Sequence, residues 1–140
     1  MAQDKKTFGS LRSCLDHIKK NRGIINDSGK LQDLSAPEHV TVYLDSMQDF
    51  ETIDLDTPNL DIIVSPKLVF ANKIAFLVSA RDVRIDGGIY AFNEYSPEHE
   101  AIVSKAPRTF VNNIKLINTS VWGGLRNIEN PPIIYEEYRI

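Results

Sequence analysis

The stretch VRIDGGIYAF, residues 83–92, decides how this chain folds. Two short alternating runs, residues 83–86 and 89–92, flank the pair Gly87-Gly88. Alternation with a period of two is typical of β-strands that bury one face. A pair of glycines between such runs supplies the positive φ that a type I′ turn requires at both central positions. The sequence therefore predicts a β-hairpin, with two antiparallel strands joined at Gly87-Gly88.

A phosphate-binding loop is the other structure that a pair of glycines can indicate. Such a loop needs a helix directly after the glycines, because the amides at the helix N-terminus bind the phosphate. Here Gly87-Gly88 is followed by the strand-like residues 89–92, and no lysine or serine stands where a P-loop would need one. The hairpin is therefore the preferred interpretation.

The rest of the chain predicts one helix followed by many short strands. In residues 7–21, the apolar side chains of Leu11, Cys14, Leu15 and Ile18 recur at helical spacing and share one face. Period-two runs then follow one another, separated by turn residues such as Thr57-Pro58-Asn59. These runs are residues 40–44, 51–55, 60–64, 68–70, 74–78, 83–86, 89–92 and 110–117.

Closely spaced strands with tight turns favour a barrel or a sandwich. We therefore expect a single domain over residues 1–140, of the α+β class and mostly β, with an N-terminal helix and a β-rich barrel or sandwich. The alternative is a short parallel β-helix. Runs that begin at Val40, Leu60 and Asp82 are about 20 and 22 residues apart, which is near the length of one coil. Residues 93–109, which carry two prolines, interrupt this spacing.

Composition indicates a globular protein outside the membrane. The chain is 42% hydrophobic and 25% charged, and no apolar run approaches the roughly 20 residues of a membrane span. The N-terminus has no apolar segment of the signal-peptide type. Cys14 is the only cysteine and cannot form an internal disulfide. These features predict a cytoplasmic protein.

No pattern of catalytic or metal-binding residues emerges from the sequence. The three histidines, His17, His39 and His99, have no metal-ligand spacing to one another or to Cys14, and no serine lies in a nucleophile elbow. The net charge of −3 is unlike that of a nucleic-acid binder, which carries a basic face. We therefore expect no enzyme activity, no metal, no cofactor and no nucleic acid.

An acidic block is the most unusual feature of the sequence. Residues 31–65 hold eight Asp or Glu and no Lys or Arg. Such a block is either a solvated surface or a negative patch that steers a basic partner. The candidate partner-binding residues are Glu38, Asp45, Asp49, Glu51, Asp54, Asp56 and Asp61.

The predicted function is that of a non-enzymatic protein-binding module. Its acidic face would dock a protein partner with a basic surface, as an inhibitor or immunity protein does. One alternative is a viral or phage structural or accessory protein that self-associates through the edges of its strands. Another is an enzyme whose site has no recognisable sequence motif.

Overall fold

The computed structural model describes residues 8–22, 39–46, 52–128 and 135–140. Within these ranges lie two helices, α1 Leu11–Asn21 and the single turn α2 Val121–Gly124. Twelve strands accompany them: β1 Val40–Leu44, β2 Ile53–Leu55, β3 Leu60–Val64, β4 Val69–Ala71, β5 Phe76–Val78, β6 Val83–Asp86, β7 Ile89–Ala91, β8 Ile102–Ser104, β9 Thr109–Asn112, β10 Ile114–Ile117, β11 Leu125–Arg126 and β12 Tyr135–Tyr138.

The strands form three parallel sheets of four strands each. Sheet I has the order β1-β3-β6-β9, sheet II the order β4-β7-β10-β12, and sheet III the order β2-β5-β8-β11. Consecutive strands along the chain enter different sheets, so the chain winds as a β-solenoid of about four turns. The expected barrel or sandwich is wrong, and the parallel β-helix alternative fits the structure. A mostly β protein with one N-terminal helix is confirmed.

The predicted hairpin at Gly87-Gly88 is also wrong. β6 pairs in parallel with β3 and β9, whereas β7 pairs in parallel with β4 and β10. Gly87 and Gly88 form the corner between sheets I and II, with φ angles of 96° and 98°. Both glycines have the positive φ that a type I′ turn would also require. The local sequence is therefore compatible with either connection.

Other corners use non-glycine residues in the left-handed conformation. Asn59, Asp82 and Arg108 have φ of 54°, 56° and 58°, and each precedes one strand of sheet I. Asn and Asp adopt this conformation more readily than most residues. Arg108 is held by a bidentate ion pair to Asp82, at 2.6 and 3.0 Å. Hydrogen bonds from Arg108, outweighing the effect of partial burial, lower the pKa of Asp82 to about 2.

Coil length varies while the stacking register is kept. Val40 pairs with Leu60, Leu60 with Val83, and Val83 with Thr109, so successive coils take 20, 23 and 26 residues. The longest coil contains most of residues 93–109. This segment includes β8, which stacks on β5 in the same register as its neighbours. The interruption seen in the sequence is the long loop between β7 and β8, which lengthens this coil.

Inward side chains stack in columns along the solenoid. One column in sheet I joins Val42, Ile62, Ile85 and Val111, all of which are buried. In sheet II, the ring of Phe70 stacks on that of Tyr90 with their centroids 5.3 Å apart. The Tyr90 hydroxyl donates to the carbonyl of Gly87 at 2.9 Å, so the core column also supports the corner. Burial raises the pKa of this phenol.

Helix α1 covers the first coil, as its apolar stripe predicts. The Ser10 side chain caps its N-terminus by accepting a hydrogen bond from the amide of Ser13 at 3.1 Å. Leu11, Leu15 and Ile18 are buried in the core of the solenoid. A stacked-coil protein needs such an end cap, because its terminal coil would otherwise expose apolar side chains.

We predict that Gly87→Val destabilises the protein by about 2–4 kcal/mol. A Cβ at this position would lie 2.3 Å from the Val64 carbonyl oxygen, and valine resists the positive φ. Urea denaturation monitored by circular dichroism measures the loss. The matched control is Gly9→Val, because nothing lies within 4 Å of a Cβ at Gly9. Equal midpoints for the two variants would contradict the corner geometry.

Candidate functional site

The structure places one residue of the acidic block, Asp56, in an ion-pair cluster beneath α1. The Arg12 guanidinium contacts its carboxylate at 2.8 Å and the Lys19 ammonium contacts it at 2.7 Å. Lys19 is only 6% exposed. Asp16 also reaches both cations, at 3.1 and 3.6 Å. Asp56 therefore holds the helix on the solenoid, and two cations from the N-terminal segment neutralise its charge.

Asp56 titrates accordingly. Partial burial raises its pKa, but hydrogen bonds and charge from Arg12 and Lys19 lower it by more, so the pKa lies below its ordinary value of 3.8. The carboxylate is thus charged at neutral pH and holds both cations. The same helix is anchored further along by Arg22, which donates to the carbonyl of Pro58 at 2.7 Å.

The other described acidic residues lie apart from one another. Asp54 is on the outer face of sheet III and accepts a hydrogen bond from the Ser79 hydroxyl at 3.0 Å. Asp61 is on the outer face of sheet I, 3.0 Å from Nδ1 of His39. Asp45 is exposed directly after β1. Because consecutive strands enter different sheets, nearness in sequence does not gather these side chains on one face.

Three of the predicted residues, Glu38, Asp49 and Glu51, lie outside the described ranges. Their participation in a partner-binding surface stays a prediction. Among the described residues, the acidic block contributes one helix anchor and three separated carboxylates rather than a single patch.

A different surface is continuous across four strands, namely the outer face of sheet II. The first outward row follows the register Val69, Ile89, Lys115, Glu136, and the second follows Ala71, Ala91, Ile117, Tyr138. We call the six apolar members of these rows the apolar face: Val69, Ala71, Ile89, Ala91, Ile117 and Tyr138. Val69 and Tyr138 are 42% and 48% exposed.

The other two sheets present mixed outer faces. On sheet I, the outward register row contains Asp61, Arg84 and Phe110, and the Arg84 guanidinium lies 4.8 Å from the centre of the Phe110 ring. On sheet III, the corresponding row begins at Asp54 and ends at Arg126. In the sheet III row the charged residues stand on the two edge strands. In sheet II, Lys115 and Glu136 occupy the first outward row, whereas the second row contains no charged residue from β4 to β12.

Other exposed aromatic and aliphatic residues stand in the segments that follow β10 and β12. Trp122 is 81% exposed and Ile140 is 92% exposed. The Arg139 guanidinium lies 4.0 Å from the centre of the Tyr95 ring. Asn118 holds this end together, because its amide NH donates to the Tyr138 carbonyl and its side-chain oxygen accepts from the Ile140 amide, at 2.7 and 2.8 Å.

The histidine in the longest loop has a structural environment. The ring of His99 stacks on that of Phe92 with their centroids 4.4 Å apart, and its Nε2 donates to the Glu94 carbonyl at 3.0 Å. Within the described ranges no group of three His, Cys, Asp or Glu side chains could hold a metal ion. No helix in those ranges is long and apolar enough to cross a membrane.

A shallow groove separates α1 from β2. Its lining comprises Arg12, Leu15, Thr52, Ile53 and Asp54. The Nε of Arg12 is buried without a hydrogen-bond partner among the described atoms. Its Nη1 donates to the backbone carbonyl of Asp54, and its Nη2 donates to the carboxylate of Asp56. The groove is therefore part of the contact between helix and solenoid.

Sequence reasoning missed the apolar face, although a signal for it was present. Three strands of sheet II, namely β4 (VFA), β7 (IYA) and β10 (IKLI), carry apolar residues at outward as well as inward positions. Strands that are apolar on both sides are typical of sheets that are covered on both faces. Period-two alternation predicts one buried and one solvated face, and sheet II departs from this pattern because most of its outward positions are apolar.

Comparisons with known proteins give no family for this chain. No family model, no curated protein and no solved structure matches it.

We predict that Asp56→Asn lowers the free energy of unfolding by about 1–3 kcal/mol at neutral pH, because it leaves the buried Lys19 ammonium without its main counter-charge. The folded-state pKa of Asp56 is depressed, so its contribution is present above pH 3.8 and is lost as the pH falls through the folded value. Urea denaturation at a series of pH values should show the gap between variant and parent closing in acid.

Asp16→Asn is the control for this prediction, since Asp16 contacts the same two cations but its side chain is 56% exposed. Its effect should be under about 0.5 kcal/mol. Equal losses for the two variants, or a gap that persists in acid, would show that Asp56 does not anchor the helix.

Proposed function

We propose that this protein is a binding module that docks a protein partner through the apolar face of sheet II. The observation that carries the proposal is the outward row Ala71, Ala91, Ile117 and Tyr138, which is apolar at every strand from β4 to β12. Single exposed apolar residues are common on protein surfaces, but contiguous apolar patches mark interaction sites. The protein would act by presenting this surface and not by catalysis.

The solenoid backbone suits such a role. Strands in a sheet are spaced by about 4.8 Å, so outward side chains stand in straight rows on a broad surface. Their backbones are fixed by ladder hydrogen bonds on both sides of β7 and β10. Because this backbone is already fixed, little conformational freedom of the backbone is lost when a partner docks. Tyr138, at the β12 end of the apolar row, belongs to the residue types that contribute most to binding at interfaces.

The acidic docking surface remains a second candidate function. Asp45 and Asp54 are exposed, and no ion pair reaches either of them from the described part of the chain. Asp56 and Asp61 are less suited, because Arg12, Lys19 and His39 already contact them. An interface around either Asp45 or Asp54 would steer a basic partner and would weaken with salt.

We predict that Ile117→Arg abolishes partner binding and leaves folding intact. Ile117 lies in the middle of the apolar face, so an arginine there would be desolvated without a counter-charge when a partner docks. Immobilised parent and variant proteins are exposed to extract from the source organism, and the proteins retained by the parent alone are identified. The affinity of each identified protein is then measured for the parent and for the variant. The expected loss is at least about 100-fold.

Leu77→Arg is the matched control, since Leu77 is an outward, partly exposed residue of sheet III in register with Asp54 and Val103. It should bind like the parent. A variant Asp54→Lys tests the second candidate in the same assay. Loss of binding in Asp54→Lys with Ile117→Arg unaffected would refute the apolar face and favour the acidic surface. Loss in Leu77→Arg as well would refute a specific role for sheet II.

A further inference from the structure

We infer that the partner at the apolar face is a second copy of this chain, docked face to face about a two-fold axis that runs parallel to the strands. The inference rests on the proposed function and names its partner. It is carried by a gradient of side-chain size along the solenoid.

The gradient lies in one outward row of sheet II. Ala71 of β4, Ala91 of β7, Ile117 of β10 and Tyr138 of β12 are register neighbours in that order. The row is therefore small at its β4 end and large at its β12 end. The height of this surface therefore increases along the solenoid axis, by the difference in length between an alanine and a tyrosine side chain.

A two-fold axis makes this relief self-complementary. An axis parallel to the strands, passing between β7 and β10, reverses the order of strands in the second copy and keeps each row opposite itself. Tyr138 then faces Ala71 of the second copy, and Ile117 faces Ala91. Pairing of large with small residues fills an interface at the density of a protein core. A two-fold contact forms every such pair twice.

The other outward row runs Val69, Ile89, Lys115 and Glu136, and the same axis places Lys115 opposite Ile89 and Glu136 opposite Val69 of the second copy. Val69 and Glu136 belong to the two edge strands, so this pair lies at the rim of the contact. The aliphatic part of a lysine can cover an apolar side chain while its ammonium reaches the solvent at the rim. Packed sheets are rotated by about 30° relative to each other because of their twist, so the rows would cross at a small angle.

The size of the face predicts a weak dimer. The four strands span only about 14 Å between the first and the last. A patch of that width buries less area than the roughly 800 Å² that each partner contributes to a standard interface. Ile140, two residues after Tyr138, is exposed and adds apolar area close to this face. We therefore expect a dimer that forms at micromolar or higher concentrations.

The test is sedimentation equilibrium of the whole chain over a wide range of concentrations. The parent should dimerise. Ala71→Tyr sets tyrosine against tyrosine and Tyr138→Ala sets alanine against alanine, so each variant alone should dimerise at least about tenfold more weakly. An equal mixture of the two variants should regain the affinity of the parent, because each large residue then faces a small one in both contacts.

Recovery of affinity in the mixture cannot come from a contact between positions 71 and 138 within one chain. Ala71 and Tyr138 lie on the two edge strands of sheet II, too far apart to touch in one copy. Circular dichroism checks that both variants fold, and Leu77→Arg should dimerise like the parent. A mixture no tighter than the separate variants, or variants as tight as the parent, overturns the two-fold arrangement.

A parent that stays monomeric at every concentration overturns the second copy as the partner. That result leaves the proposed function standing if Ile117→Arg still loses a different protein in the capture assay. Failure of both experiments would instead remove the apolar face as a docking surface.

Discussion

Parallel pairing of every strand is the constraint on which the rest of this structure depends. A parallel pair cannot be closed by a tight turn, so the chain must cross over before it returns beside a strand, and here it crosses over through the other sheets. The corners that make this passage carry the conformational cost. Gly87 and Gly88 adopt positive φ, and a side chain on Gly87 would meet the Val64 carbonyl of the coil below. Asn59 and Asp82 adopt left-handed φ at the corners that lead into β3 and β6 of sheet I.

Stacking then determines both the core and the surface. Inward residues such as Ile62 and Ile85 lie above one another, and each coil buries the apolar side chains of the next. Outward residues form rows by the same register, so the character of a face is set by residues 20 or more positions apart. The apolar face arises because Ala71, Ala91 and Ile117 occupy equivalent positions in three coils. The helix anchored at Asp56 closes the first coil.

Much of the local structure could be predicted from the sequence. The spacing of Leu11, Leu15 and Ile18 indicated a helix with one buried face, and period two located most of the strands. The connection between strands could not be predicted in the same way, because Gly87-Gly88 supports a hairpin and a corner equally well. The acidic block was expected to form a patch through pairing of nearby strands. It does not form one among the described residues, because Asp54 and Asp61 lie on different sheets.

The most direct test of the account is which residue lies beside Ala91. The solenoid places Ile117 next to it on the apolar face, whereas a hairpin centred on Gly87-Gly88 would place Arg84 opposite it. Two double variants, Ala91→Cys with Ile117→Cys and Ala91→Cys with Arg84→Cys, are made with Cys14 replaced by serine and treated with a short bifunctional thiol reagent. Mass spectrometry should find the intramolecular cross-link between positions 91 and 117 alone. A cross-link between positions 84 and 91, without one between 91 and 117, would contradict the solenoid and the docking face derived from it.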